Sequence, residues 1–322
     1  DWAATNCQDV AVNPQNHSEL FLAAAGGVFH STNNGSTWNH MGQFLYASTI
    51  KYVGTSNGKQ MLYAATGLIA EDAIGESDGS FHRYNYGGNG QWESFLISNE
   101  GKVKTHEILF DPDHKESIWV STSMGVFMSS DGGATWEKKN DGLPSNASCR
   151  GMCANPAEFA EKIVVEANTG PYKWDDSSKR WNSIGGDLLP ALSDGYAYTA
   201  IIDYATIVEK TWGEYILVGS TDPLIGVMYS DDGGTSWETR NTNSISTVMG
   251  WGLREGDYVS THSHGLSVGS DTQTWCGGNG PLYASFGIAS PWYQWVQKTS
   301  VQTANGHWKH KGLVNAVFHE VS

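Results

Sequence analysis

The chain has 322 residues and a formal net charge of −15, from 34 acidic against 19 basic residues. Its 38 glycines, 14 tryptophans and 14 tyrosines, with only 9 prolines, favour a β-rich globular fold. The acidic charge and the lack of a Lys/Arg cluster exclude nucleic acids and anionic membrane surfaces as expected partners. No apolar run reaches the roughly 18–20 residues that span a bilayer, so we expect no membrane insertion.

Three N-glycosylation sequons and the start of the chain predict a secreted glycoprotein. The sequons begin at Asn16, Asn34 and Asn146, and such sites are glycosylated on the surface of secreted proteins. The sequence opens at Asp1 without a methionine or an apolar leader, as a mature protein does after signal cleavage. We therefore expect an extracellular glycoprotein, and we expect it to be a monomer.

Four cysteines allow three different two-bridge pairings. Cys149 and Cys153 are too far apart to bond within one extended strand, at about 3.3 Å per residue. They would bond only if a turn precedes the strand, whereas a Cys7–Cys276 bond would tie the start of the chain to a late element. A disulfide is expected, and its pairing stays open.

Runs of small and apolar residues recur along the chain and predict β-strands that line a narrow shaft. In chain order they cover residues 8–14, 48–54, 105–112, 150–156, 198–205 and 247–253, and residues 313–322 resemble another such strand.

A turn that ends on tryptophan follows three of the strand-like runs. Its copies are Ser31-Thr-Asn33-Asn-Gly35-Ser-Thr37-Trp38, Ser129-Ser-Asp131-Gly-Gly133-Ala-Thr135-Trp136 and Ser230-Asp-Asp232-Gly-Gly234-Thr-Ser236-Trp237. In each copy the Asn or Asp side chain accepts backbone N–H bonds, glycine supplies a positive φ, and tryptophan packs between neighbouring sheets. The turn is therefore expected to be structural.

The copies lie about 100 residues apart, twice the length of a four-stranded blade, so weaker copies are expected between them. GGNGQW ends in Trp92, DDSSKRW in Trp181, GSDTQTW in Trp275 and GHW in Trp308. With the three strong copies, these tryptophans mark seven units of uneven length.

The S-x-D-x-G-x-T-W pattern resembles the Asp-box of β-propellers found in sialidases, xyloglucan-active hydrolases, sortilin-type receptors and photosystem assembly factors. The resemblance implies an all-β, seven-bladed β-propeller, with six blades as the alternative, and an Asp-box between strands C and D of a blade. The approximate blades of this single domain are 1–45, 46–100, 101–146, 147–190, 191–244, 245–279 and 280–322. The boxes would lie away from the ligand site, which the D-to-A loops and B–C turns would form.

Asp222 is the first candidate for a catalytic residue. The segment Ser220-Thr-Asp222-Pro-Leu-Ile-Gly226-Val-Met-Tyr229-Ser230 is similar to the B–C turn T-D-x-G-x-x-Y-R-S that carries the acid of xyloglucan-active hydrolases. The resemblance implies that Asp222 is the acid, although the Pro-Leu insertion and Met228 depart from the pattern. Those relatives pair two propellers around a cleft, so their substrate class does not transfer.

The longest predicted B–C insertion, TGLIAEDAIGESDGSFHR, is rich in acidic residues, including Asp72 and Glu76. Blades 2 and 5 lie roughly opposite in a seven-bladed ring, so Asp72 or Glu76 would face Asp222. A carboxylate separation on the order of 6.5–9.5 Å would suit an inverting glycosidase. The alternative is that Asp222 caps a turn and the insertion is a solvated loop.

The histidines suggest a different chemistry. His262 and His264 fall in a predicted B–C turn with both rings on one strand face. His106 begins a strand that is predicted to be the first of its blade. Together with Tyr198, they would supply the base and the acid of a β-elimination lyase. The same histidines would hold a divalent metal if His106 supplied a third ligand, although no cofactor is predicted.

Other residues of the predicted binding face would contact the substrate. Arg150 would neutralise a uronate carboxylate, and aromatic residues would stack on sugar rings. The candidates for substrate binding are Arg150, Tyr46, Tyr196, Trp251 and Lys104.

Taken together, these features predict a secreted, carbohydrate-active β-propeller. A glycoside hydrolase is preferred to a polysaccharide lyase, and a non-catalytic lectin or protein-binding ring is the further alternative.

Overall fold

A computed structural model describes the chain over residues 7–24, 26–42, 46–54, 58–67, 79–88, 90–154, 159, 163–186, 197–207, 210–220, 227–230, 232–239, 262–268, 282–290, 293–302 and 308–310. These residues form six antiparallel sheets of four strands each. Each strand pairs with the next along the chain, so every sheet is built by consecutive hairpin connections. We number the sheets 1 to 6 in chain order and name the strands of each sheet A to D.

The first compact unit comprises residues 1–141 and 145–150 and contains sheets 1, 2 and 3. Sheet 1 consists of β1 (Cys7–Val12), β2 (Leu20–Ala24), β3 (Gly27–Ser31) and β4 (Asn39–Gly42). Sheet 2 consists of β5 (Ala47–Gly54), β6 (Gln60–Thr66), β7 (Ser80–Tyr86) and β8 (Trp92–Leu96). Sheet 3 consists of β9 (Thr105–Phe110), β10 (Ile118–Thr122), β11 (Gly125–Ser129) and β12 (Glu137–Lys138).

The second compact unit comprises residues 142–144 and 151–322. Sheet 4 consists of β13 (Cys149–Ala154), which begins in the first unit, β14 (Ile163–Ala167), β15 (Gly170–Asp175) and β16 (Arg180–Ser183). Sheet 5 consists of β17 (Ala197–Ile207), β18 (Lys210–Ser220), β19 (Val227–Ser230) and β20 (Glu238–Thr239). Sheet 6 consists of β21 (His262–Val268), β22 (Leu282–Ser290), β23 (Tyr293–Gln302) and β24 (Trp308–His310).

Apolar side chains fill the spaces between neighbouring sheets of the first unit. Phe21 of sheet 1 and Ile50 of sheet 2 are fully buried in one cluster. Phe81 of sheet 2 and Ile118 of sheet 3 are fully buried in the next. Because successive side chains of a strand point to opposite faces, a middle sheet contributes to both clusters, and burying these faces stabilises the stack.

The three strong turn repeats form the same hydrogen-bonded structure. In the second copy, Ser129 Oγ donates to Asp131 Oδ1 at 2.8 Å, and Gly133 N donates to Ser129 Oγ at 2.8 Å. Thr135 N donates to Asp131 Oδ1 at 2.9 Å. The copies at Asn33 and Asp232 repeat these bonds. Each box joins strand C to strand D, which confirms its predicted position.

The boxes meet the A–B connections at one end of their sheets. Asn34 N donates to Ser18 O at 2.9 Å, and Gly132 N donates to Glu116 O at 3.0 Å. Strands A end and strands B begin at this end, so the D-to-A and B–C connections lie at the other end. We call these the box end and the site end of a sheet.

The six sheets confirm five of the predicted first strands, at β1, β5, β9, β13 and β17, while residues 247–253 lie outside the described part. Sheet 6 differs from the prediction. The expected blade boundary at 279/280 falls between β21 and β22, which are paired neighbours. Trp275 lies outside the described residues, whereas Trp308 begins strand D. The number of blades stays a prediction.

Glu166 on β14 is a buried carboxyl group without a hydrogen-bond partner among the described residues. Its side chain is 0% exposed, and neither carboxyl oxygen has a hydrogen-bond partner. The residue opposite on β15 is Pro171, which has no backbone N–H to offer. Burial therefore raises the pKa of Glu166 well above its ordinary value.

We expect Glu166→Met to stabilise the protein by about 1–3 kcal/mol, because it removes a buried polar group without a partner. The raised pKa favours the protonated carboxyl in the folded protein, whereas the unfolded chain ionises it above about pH 4.3. Wild-type stability is consequently lost as the pH rises, and the advantage of the variant should grow. Urea unfolding at acidic and neutral pH measures this. A variant less stable than wild type at both pH values would contradict the prediction.

Candidate functional site

Three chain segments of the first unit meet at the site end of sheets 2 and 3. Tyr46 lies just before β5, and its carbonyl accepts a hydrogen bond from Gly67 N at 2.9 Å, just after β6. A Cβ on Gly67 would lie 2.8 Å from Thr105 O and 3.1 Å from Ser48 Oγ. Only glycine permits this close approach. The loop before β5, the segment after β6 and the start of β9 are therefore held together.

Lys104 and His106 lie beside this junction. Lys104 N donates to Ser123 Oγ at 3.0 Å, and Ser123 N donates to Lys104 O at 2.9 Å. This pair of bonds fixes the start of β9 against the end of β10. His106 follows on β9 and is half-buried. The structure thus brings the predicted residues Tyr46, Lys104 and His106 to one end of the same two sheets.

The backbone of Tyr46 adopts a conformation that is uncommon for a bulky residue. Its φ is +59°, in the left-handed region. Such a conformation costs on the order of 1–3 kcal/mol and persists where the surroundings impose it. Here the bond to Gly67 holds the carbonyl, while the side chain stays half-exposed. A strained, partly exposed tyrosine at a strand end supports a binding role.

Arg150 is placed on β13, where its carbonyl accepts a hydrogen bond from Ser121 Oγ. This bond ties the start of β13 to the end of β10 at the site end of sheet 3. Its side chain is half-buried. The predicted position of Arg150 near the start of a first strand is therefore confirmed.

A row of charged residues crosses the first strands of sheets 1, 2 and 3. Lys51 Nζ lies 2.8 Å from Glu107 Oε1 and 3.6 Å from Asp9 Oδ2. Asp9 also accepts bonds from Thr49 Oγ1 at 2.9 Å and Ile50 N at 2.8 Å. Burial raises the pKa of Glu107, and Lys51 opposes this rise. This row was not predicted from the sequence. The only indication was a single charged residue, Asp9, Lys51 or Glu107, in each of the strands β1, β5 and β9.

A second buried carboxylate lies at the box end of sheet 1. Glu19 Oε2 accepts a bond from Asn13 Nδ2 at 2.5 Å, and Oε1 lies 2.9 Å from His30 Nε2 and accepts from the Tyr86 hydroxyl. Burial alone would raise the pKa of Glu19, but hydrogen bonds from Tyr86, Asn13 and His30 outweigh it and lower the pKa. With each oxygen already bonded, Glu19 links sheet 1 to sheet 2.

Asp222 lies outside the described residues, as do Asp72 and Glu76. In the sequence, Asp222 falls between β18 and β19, and Asp72 and Glu76 fall between β6 and β7. Tyr196 and Trp251 also lie outside the described part of the chain.

The predicted position of the histidine pair was wrong. His262 and His264 belong to β21, the first strand of sheet 6, and not to a B–C turn. The pairing of β21 with β22 is irregular between Ser263 and Gly265, where the register shifts. Tyr198 is on β17, as predicted. Among the described residues, no group of three His, Cys, Asp or Glu side chains is arranged to hold a metal.

The surface and covalent predictions have mixed outcomes. Asn16, Asn34 and Asn146 are all exposed, and glycosylation at them stays a prediction. Cys149 and Cys153 lie on the same strand and do not form a disulfide with each other. Cys276 lies outside the described residues. Within the described part of the chain, no helix has the length and hydrophobicity required to cross a membrane.

Comparison with known proteins identifies the repeat and the fold. The BNR/Asp-box repeat family matches residues 228–239. No curated protein matches the sequence. An ancestral GH74 enzyme is similar in structure, with a TM-score of 0.64 and 15% identity, over 95% of this chain and 41% of that one.

Two further solved structures have the same fold. The extracellular domain of a hybrid two-component system from B. thetaiotaomicron gives a TM-score of 0.59 and 14% identity, over 98% of this chain and 37% of that one. YCF48 bound to D1 peptide gives 0.51 and 11% identity, over 95% of this chain and 81% of that one. The chain thus spans about two fifths of the length of the GH74 enzyme and of that extracellular domain.

Proposed function

We propose that this chain, an Asp-box β-propeller, binds an extracellular oligosaccharide or polysaccharide and hydrolyses its glycosidic bonds. The observation that carries the proposal is the junction of Tyr46, Gly67 and Lys104 at the site end of sheets 2 and 3. A half-exposed tyrosine and a lysine at the same end of two neighbouring sheets suit a sugar, which offers an apolar face and many hydroxyls. The exposed sequons support an extracellular location.

Carboxyl groups adjacent to this end would supply the acid and base of hydrolysis. The acidic segment that contains Asp72 and Glu76 follows Gly67 in the sequence. Asp222 is proposed as a catalytic acid because its own B–C segment resembles the acid-bearing turn of xyloglucan-active hydrolases. The structural likeness of 95% of the chain to a GH74 enzyme supports the same reaction class.

A panel of plant and microbial polysaccharides, assayed for binding and for released products, tests the proposal. Hydrolysis predicts new reducing ends without a new double bond. Elimination on a uronate polymer would instead give an unsaturated product that absorbs ultraviolet light, and would assign His106 and Arg150 to a lyase. Binding without any product would indicate a lectin. Either of these results, or the absence of binding across the panel, would overturn the hydrolase proposal.

A further inference from the structure

The fourth strand of sheet 2 borders a groove that the proposed carbohydrate site does not use. The groove has a volume of about 590 Å³ and lies between β8 and the box turn of sheet 3. Phe95 and Leu96 line one wall, and Trp136 and Lys138 line the other. Its volume is within the range of ligand-binding sites, and all of its walls belong to the first unit.

The outer edge of β8 has backbone groups available for pairing. Among the residues that the structure describes, β8 is the last strand of its sheet and pairs only with β7. Ile97 N donates to Gly79 O at 3.4 Å. With the register of the two strands, this bond shows which residues of β8 direct their N–H and C=O groups to β7. In an antiparallel ladder the bonded residues alternate, so Ser94 and Leu96 direct their N–H and C=O groups away from β7. Both residues line the groove.

Leu96 adds an exposed apolar contact to this edge. It is 56% exposed, and among the described residues Val12, at 41%, is the other large apolar side chain classed as exposed. Native proteins protect strand edges with charges, prolines or bulges, because an exposed apolar edge invites another strand. An exposed leucine whose own N–H and C=O face outward, as those of Ser94 do, favours an extended peptide backbone as the occupant.

The charges around the groove select the partner. Glu93 and Glu100 have side chains that are 55% and 65% exposed. Their partners, Arg83 and Lys138, are less exposed, at 25% and 36%. The rim therefore presents its carboxylates to solvent. The chain's net charge of −15 also disfavours a second copy as the occupant.

We propose that β8 is a docking edge for an extended peptide segment that alternates basic and apolar side chains. The peptide backbone pairs with Ser94 and Leu96 as a fifth strand of sheet 2. Side chains alternate between the faces of a strand, so its apolar side chains lie on the face of Leu96 and its basic side chains on the face of Glu93, near Glu100.

Titration calorimetry of the whole chain with a short, end-blocked peptide that alternates lysine and valine tests this. We expect saturable binding that weakens with added salt. Leu96→Lys should weaken it about tenfold, through lost apolar contact and charge repulsion, whereas the matched exposed substitution Val12→Lys should leave it unchanged. A peptide with methylated backbone nitrogens should not bind, because it cannot pair with the edge.

Three results would overturn the docking proposal. They are no binding by the unmethylated peptide, equal binding by the methylated peptide, and unchanged affinity in Leu96→Lys. A wild-type dimer in sedimentation that Leu96→Lys dissociates would assign the edge to a second copy of the chain, and would also overturn it.

Discussion

Asp222→Asn is expected to lower turnover of the polysaccharide by about 10²–10⁴-fold while leaving binding unchanged. This is the loss produced by removing a general acid or base, since the amide has nearly the same shape but cannot supply or accept the proton. Initial rates and equilibrium binding, measured on the same preparation, separate the two effects. A variant that keeps its full rate would remove Asp222 from the mechanism.

Asp232→Asn is the matched control for this change. Asp232 belongs to the box turn of the same sheet, where it accepts bonds from Ser236 N at 2.9 Å and Ser230 Oγ at 2.8 Å. The first box already uses Asn33 in the equivalent role, so an asparagine can form this turn. We expect Asp232→Asn to fold and to retain activity.

Gly133→Ala is expected to destabilise the protein by about 2–5 kcal/mol. Gly133 has a φ of +89°, where an L-residue costs about 1–2 kcal/mol. An added Cβ would also overlap Cε1 of Phe81 and lie 2.6 Å from its Cδ1. The ring of Phe81 is 0% exposed and packs edge-on against Trp136 at 4.9 Å, so relieving the overlap adds about 1–3 kcal/mol. Urea unfolding measures the loss.

Gly35→Ala in the first box isolates the steric part of this effect. Gly35 also has a positive φ, of +78°, but its added Cβ would have its nearest contact at 3.4 Å, to Trp38 Cζ2. Only the conformational cost of about 1–2 kcal/mol should remain. Equal destabilisation by the two alanine variants would show that contact with Phe81 is not what makes Gly133 necessary.

The sheets could be predicted from the sequence because the box turns are local structures. Ser129, Asp131 and Gly133 bond to one another within five positions, so the turn is recognisable wherever it occurs. The predicted units differ from sheet 6 because GSDTQTW retains the composition of the turn without its Ser-x-Asp-x-Gly spacing. Composition alone does not distinguish a C–D turn from another polar connection.

The candidate site was only partly predictable. Tyr46, Lys104 and His106 could be placed at one end because the repeat sets the direction of each strand. The Lys51 row was missed because its partners, Asp9 and Glu107, are more than forty positions away on either side, and no local pattern reveals such pairing. The left-handed Tyr46 was also unpredictable, since tertiary contacts rather than the preference of tyrosine impose it.

A crystal structure of the chain with an oligosaccharide selected from the polysaccharide panel would locate the sugar. We expect sugar density at the site end of sheets 2 and 3, with a ring against Tyr46 and hydroxyls within hydrogen-bond distance of Lys104 or His106. Sugar bound at the box end, beside turns such as the one at Asp131, would contradict it.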